Sequence, residues 1–114
     1  MNADDYPAPD GMPDDVAAVW REVVEAHAAV GDDTIARKLG RLEAYASVKA
    51  IHRSATARAS KYGDTVQDAR GAPIRNPAVD IVADMNRELA RWGDTFEPKP
   101  PRAPRGGRGR SVGA

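Results

Sequence analysis

The stretch that decides the fold is YGDTVQDARGAPIRNPAVDIVADMNRELARWG, residues 62–93. A helical pattern ends at its first two residues, and two short extended runs follow, separated by a turn around Gly71. Asn is a favoured helix N-cap and Pro is favoured at the first helical position, so Asn76 and Pro77 predict a new helix that ends at Gly93. The stretch therefore predicts a specifically built connector between two helices rather than a free linker.

The segment between these helices, residues 64–75, is best interpreted as a short β-hairpin that carries Val66 and Ile74. An isolated two-stranded hairpin is only marginally stable in water, so this one needs a partner. Two partners remain open: the long helix of the same chain, or hairpins of neighbouring subunits.

Three helices account for most of the ordered chain. Pro13 opens the first, whose apolar positions follow helical spacing until Gly31. The second is expected to start at an Asp33 cap and to run to Tyr62, about 43 Å at 1.5 Å per residue. The third runs from Pro77 to Trp92. The prediction is a mainly α fold with one long central helix and a β-hairpin between helices two and three.

The domain plan follows from this pattern. Residues 1–12 are acidic and rich in Pro and Gly, which predicts a flexible N-terminus. Residues 13–96 are expected to form a helical oligomerisation domain, with the hairpin at about 64–75. Residues 97–114 lack apolar periodicity and are predicted to be a disordered, basic tail rich in Pro, Arg and Gly.

The second helix carries two apolar stripes that point in different directions on a 3.6-residue wheel. One stripe contains Ile35, Leu39, Leu42, Ala46 and Ala50. The other is expected, together with the hairpin, to form an interface between subunits, so the predicted oligomer-interface residues are Tyr45, Val48, Ile51, Ala55, Ala59, Tyr62, Val66 and Ile74. A chain of 114 residues with one Phe, two Trp and no Cys has a thin core, and association with other copies would add buried area.

The formal net charge is zero, but the charges are unevenly distributed along the chain, since residues 1–33 hold nine acids and one base. Arg-Gly segments contact phosphates while staying flexible, so the tail is a candidate DNA-binding element through Lys99, Arg102, Arg105, Arg108 and Arg110. A solubilising tail and a docking peptide are the alternatives. A second candidate strip on helix two comprises Lys38, Arg41, Lys49 and Arg53, although such a run is more often a solvated face.

Signals for catalysis are missing from the sequence. It has no phosphate-binding Gly-Lys-Ser/Thr loop, no His-Glu-x-x-His and no Cys nucleophile. His27 and His52 lie beside apolar stripes, and the N-terminal Asp residues lack the spacing of a calcium loop. We expect no enzymatic activity, no catalytic residue, no metal site and no cofactor. The lack of a long apolar run also predicts a cytoplasmic protein without a membrane partner.

Taken in order, several short features resemble the small terminase subunit of tailed double-stranded DNA phages. The matching positions, within roughly residues 13 to 98, are Trp20, Gly31, Tyr45, Tyr62, Gly63, Val66, Gly71, Asn76, Pro77, Leu89, Trp92 and Gly93. The resemblance implies an oligomeric ring, which we expect to hold roughly eight to ten subunits, that recognises double-stranded viral DNA. It also implies a partner, the terminase large subunit with its ATPase and nuclease, and action in the host cell cytoplasm during phage assembly.

One departure from that family concerns DNA recognition. Many small terminases carry a helix-turn-helix domain ahead of the oligomerisation helices, whereas only about twelve residues precede the first helix here. Two other functions remain open. One is an oligomeric scaffold or adaptor protein without its own DNA-binding role. The other is a small DNA-binding regulator, which the length and two apolar sides of helix two disfavour.

Overall fold

The computed structural model describes residues 1–101. It confirms a mainly α fold with an antiparallel hairpin between the second and third helices. The elements, in chain order, are a 3-10 helix at Ala3–Asp5, α1 at Asp14–Val30, a 3-10 helix at Asp33–Arg37, α2 at Leu39–Tyr62, β1 at Thr65–Gln67, β2 at Pro73–Arg75 and α3 at Pro77–Trp92.

The first helix, α1, begins and ends where the sequence predicts. It starts directly after Pro13, and it ends at Gly31, whose φ of 73° lies in the left-handed region that favours glycine. The Asp32 N–H then donates to the His27 carbonyl at 2.9 Å, which satisfies one of the last carbonyls of the helix.

The start of helix two differs from the prediction of an unbroken helix from Asp33. The Asp32 carboxylate caps a separate 3-10 helix by accepting from the Thr34 N–H at 3.0 Å and the Thr34 hydroxyl at 2.6 Å. Because the Lys38 N–H donates to the Ile35 carbonyl at 2.9 Å, the tight winding persists until α2 begins at Leu39. The predicted end at Tyr62 is correct.

The core lies where α1 packs on the first half of α2. One cluster of buried side chains consists of Trp20, Val24, Ile35, Leu42 and Phe96. A second cluster consists of Val16, Val19, Ala46 and Ala50. The first apolar stripe of helix two therefore faces α1, and its alanines leave room for close helix packing.

The third helix packs along the opposite side of α2. Ala55 on α2 is fully buried, and Ala78 on α3 is nearly so. His52 Nε2 lies 2.8 Å from Asn86 Oδ1, which joins the middle of both helices. The predicted Asn76 cap is confirmed, because its side-chain oxygen accepts from the Ala78 N–H at 3.0 Å.

The hairpin has the predicted position, with Val66 opposite Ile74. Its turn is held by the Asp68 carboxylate, which accepts from the Arg70 N–H at 2.8 Å and from the Ala72 N–H at 2.9 Å. At its base, the Asn76 N–H donates to the Asp64 carbonyl at 2.7 Å and the Asn76 side-chain amide to the Gly63 carbonyl at 2.8 Å. These bonds fix the hairpin to both flanking helices.

The N-terminal segment differs from the flexible tail that the sequence predicts. The Tyr6 carbonyl accepts a hydrogen bond from the Trp20 indole N–H at 2.9 Å. Met12 and Tyr6 also pack against the buried cluster. The physical reason is that the Trp20 ring is buried and its N–H needs an acceptor, which the segment supplies.

Candidate nucleic-acid and assembly surfaces

The chain that follows α3 is packed onto the body by an aromatic cluster. The Phe96 side chain is buried, with ring centroids 4.7 Å from Tyr45 and 5.5 Å from Trp92. Tyr45 and Trp92 meet edge to face at 5.9 Å. Burial also raises the pKa of Tyr45. This cluster turns the chain back towards the start of α2.

Two charged side chains then fix the segment to the 3-10 helix between α1 and α2. The Lys38 ammonium donates to the Thr95 carbonyl at 2.7 Å, and it lies 3.3 Å from Nε2 of the fully buried His27. The Asp32 carboxylate accepts from the Lys99 backbone N–H at 2.8 Å. The hydrogen bonds from Thr34, and next the one from Lys99, lower the pKa of Asp32 to about 2.

The packed chain extends beyond residue 96, where the sequence places the start of a free tail. Pro101 lies beside the turn at Gly31, where an added Cβ atom would be 3.9 Å from the Pro101 ring. Lys99 is exposed, and its ammonium pairs with Asp94 at 2.8 Å, which raises the pKa of Lys99. The other proposed DNA-contacting residues of the tail, Arg102, Arg105, Arg108 and Arg110, lie outside the described residues.

A cleft of about 550 Å³ lies next to this segment. Its lining combines the bases Lys38, Arg41 and Lys99 with four acids, namely Asp32, Asp33, Asp94 and Glu97. Mixed charges of this kind do not favour a phosphate group. The cleft is therefore a weak candidate for a DNA-backbone site.

The four proposed DNA-contacting bases of helix two do not form one free strip. Lys38 is engaged with the chain after α3, as described above. The Arg53 guanidinium makes two hydrogen bonds to the Glu22 carboxylate, both at 2.7 Å, which lower the pKa of Glu22. Arg41 is exposed and Lys49 is half-buried, and neither has an ion pair within 4.0 Å among residues 1–101.

Two exposed bases that sequence reasoning missed lie further along α2, at Arg58 and Lys61. The signal that could have found them is the absence of any acidic residue from position 44 to position 63. A shallow groove lies on the same helix. It is lined by Lys49, His52, Arg53, Thr56, Ala57 and Ser60.

The proposed oligomer-interface residues divide into two groups. Tyr45 and Ala55 are covered within the chain, since Tyr45 belongs to the aromatic cluster and Ala55 is fully buried. Val48, Ala59 and Val66 are half-buried. The residues that remain strongly exposed are Ile51 at 47%, Tyr62 at 55% and Ile74 at 41%.

The apolar side of α3 adds to this uncovered surface. Ala78 is the buried residue of this helix, while Ile81, Val82, Met85 and Leu89 are half-buried. These four apolar side chains are therefore partly covered by the rest of the described chain.

The described residues offer no obvious metal centre. Within residues 1–101, no three His, Asp or Glu side chains come close enough together to hold a metal ion. His27 Nδ1 lies 2.8 Å from the Val23 carbonyl, so this histidine has a structural partner. Among the helices of this part of the chain, none has the length and apolar character that a bilayer crossing requires.

These features define a small helical protein. The segment after α3 is hydrogen-bonded to the body, one face of α2 is basic, and several apolar side chains are exposed. The family model described as phage terminase, small subunit, matches residues 17–100. The chain belongs to that family. No curated protein and no solved structure matches it significantly.

Proposed function

We propose that this protein is the DNA-recognition and regulatory component of a viral genome-packaging motor. It binds double-stranded viral DNA in the host cell cytoplasm and hands it to the terminase large subunit, which carries the ATPase and nuclease. The family match over residues 17–100 carries this proposal. The protein itself is not an enzyme in this scheme, and it needs no cofactor.

The proposed active form is a closed homo-oligomer, a ring of roughly eight to ten subunits. The exposed side chains of Ile51, Tyr62 and Ile74 support this proposal, because they lie on consecutive parts of the fold, the second half of α2 and the hairpin. Light scattering coupled to gel filtration tests it directly. A monomer at micromolar concentration would contradict the proposed assembly.

The tail is the proposed source of sequence-independent DNA affinity. Its bases beyond Pro101 offer up to four phosphate contacts per subunit, and each contact adds about 0.9 to the magnitude of the slope of log affinity against log salt. In an oligomer, several tails near one duplex act at high effective concentration.

The test is a truncation after Pro101, which removes the four distal Arg residues and keeps the Lys99 bond to Asp32. We expect weaker binding of a labelled duplex and a flatter salt slope, with unchanged oligomer size and melting temperature. Unchanged affinity and slope would exclude the tail as a DNA-binding element. Replacing the same four Arg residues with Lys is the matched control, since it keeps the charge.

An oligomeric scaffold or adaptor protein without its own DNA-binding role is the alternative. The observation in its favour is that three proposed DNA-contacting bases, Lys38, Arg53 and Lys99, have partners inside the chain. The scaffold or adaptor alternative predicts that the protein assembles but does not retain duplex DNA even at low salt.

A further inference from the structure

The second half of α2 has an unusual charge distribution on its solvent side. Between Glu43 and Asp64 the sequence contains no acidic residue, while it contains four bases. We name the solvent side of this part of the helix the distal basic face. Its members are the half-buried Lys49 and the exposed Arg53, Ser54, Thr56, Ala57, Arg58, Ser60 and Lys61.

Helix geometry places these residues together and away from α3. Ser54, Ala57, Arg58 and Lys61 follow i, i+3, i+4, i+7 spacing, which puts them on one side of the helix. All four are exposed. His52, whose Nε2 lies 2.8 Å from Asn86 Oδ1 of α3, marks the side of α2 that faces α3, so these four residues lie on the other side of the helix.

Among residues 1–101, the carboxylate that neutralises this face lies at one edge of it. Glu22 on α1 pairs with Arg53, and Lys49 also contributes to the lowered pKa of Glu22. The acids of α3 have other partners, because Asp80, Asp84 and Glu88 pair with bases of β2 and α3. Arg58 and Lys61 therefore keep their charge available to a partner.

The side chains between the bases suit a phosphate backbone. Serine and threonine hydroxyls donate hydrogen bonds to phosphate oxygens, and the small size of Ala57 lets a strand approach the helix. The Arg58 guanidinium is held over the face by a hydrogen bond to the Ser54 hydroxyl at 2.7 Å. The Lys61 ammonium lies 5.1 Å from the centre of the Tyr62 ring, which holds it near the end of the helix.

We infer that the distal basic face contacts the sugar-phosphate backbone of double-stranded DNA without reading its sequence. The distance from Lys49 to Lys61 along the helix is about 18 Å, roughly half a helical turn of duplex DNA. This inference rests on the DNA-binding role proposed above and adds a surface on the folded domain that is separate from the tail.

The experiment compares two double variants in the full-length chain. Arg58→Gln with Lys61→Gln removes two bases of the distal basic face that have no ion pair within residues 1–101. Arg87→Gln with Arg91→Gln removes two bases of α3 that already pair with acids, and it is the control with the same loss of charge. Binding of a fluorescent duplex of arbitrary sequence is measured by anisotropy across a salt series.

We expect the distal-face variant to bind several-fold more weakly. Its salt slope should fall by up to about 1.8 for each subunit in contact, since each lost phosphate contact removes about 0.9. The control should bind nearly as well as the unmodified chain. Exchanging the two bases, Arg58→Lys with Lys61→Arg, should restore binding because the charge is restored. Light scattering and thermal melting verify that all variants assemble and fold alike.

The outcomes separate this inference from the proposed function. If the distal-face variant keeps the unmodified affinity and slope, or if the control loses as much, the distal basic face does not contact DNA. In that case, loss of binding after truncation beyond Pro101 would still support the DNA-binding role. If the unmodified protein does not bind duplex DNA at low salt, both proposals fail. A distal-face variant that binds DNA normally but loses the large subunit would assign the face to an acidic protein partner and overturn the inference.

Discussion

Two halves of the molecule differ in how well a single chain covers its apolar residues. The body, formed by α1, the first half of α2 and the chain after α3, fully buries Val24, His27, Ile35 and Leu42. Within residues 1–101, the buried apolar side chains of the arm, formed by the second half of α2, the hairpin and α3, are the small ones of Ala55 and Ala78. The body is therefore stabilised by its own core, whereas the arm leaves apolar side chains such as Ile51, Tyr62 and Ile74 exposed.

The largest expected effect is on the core of the body. Leu42→Ala should lower the free energy of unfolding by about 2–5 kcal/mol, because it leaves a cavity at a side chain with no exposed surface. Leu89→Ala on the half-buried side of α3 is the matched control and should cost less in the dissociated subunit. Urea unfolding measures both. Equal losses would remove the proposed difference between body and arm.

A smaller effect is expected from the carboxylate that clamps the body. Because the folded pKa of Asp32 lies near 2, below its ordinary value of 3.8, its ionised form stabilises the fold above pH 3.8. This stabilisation, at most about 2 kcal/mol, should disappear as the pH falls from 3.8 towards 2. Unfolding of Asp32→Asn should show a weaker dependence on pH over that interval. Parallel curves for the variant and the unmodified protein would contradict the assignment.

The smallest effect on the subunit itself is expected in the arm. Ile51→Asp should change the unfolding free energy of the dissociated subunit by less than about 0.5 kcal/mol, because the side chain is already 47% exposed. It should nevertheless break the proposed assembly, since an unpaired carboxylate is costly in an apolar interface. Light scattering coupled to gel filtration measures this. Ala90→Asp, at an exposed position of α3, is the control and should assemble normally.

The parts of the fold that follow from local chemistry could be predicted from the sequence. Asn76 and Pro77 start α3 because one side chain caps the helix and the other residue has the right φ. Gly31 ends α1 because its backbone is left-handed. Two short extended runs separated by a turn around Gly71 were sufficient to predict the hairpin.

The parts that depend on distant contacts could not be predicted. The break before α2 is fixed by Asp32, which also binds the backbone of Lys99, 67 residues away. The N-terminal segment is held by Trp20 through one carbonyl, a contact that leaves no periodic pattern. Likewise, helical spacing predicted that Lys38 and Arg53 belong to one strip of DNA-contacting bases. In the structure Lys38 is bonded to the Thr95 carbonyl and Arg53 to Glu22.

The hydrogen bonds of Asp32 to Thr34 and to Lys99 also determine which part of the chain a mechanical pull would load first. A pull on the chain beyond Pro101 first meets the Lys99 bond to Asp32 and the Lys38 bond to the Thr95 carbonyl. Since Asp32 and Lys38 flank the 3-10 helix at the base of α2, tension is transmitted into the body before it can reach α3. A pull beyond Pro101 would therefore load these two hydrogen bonds before it loads α3.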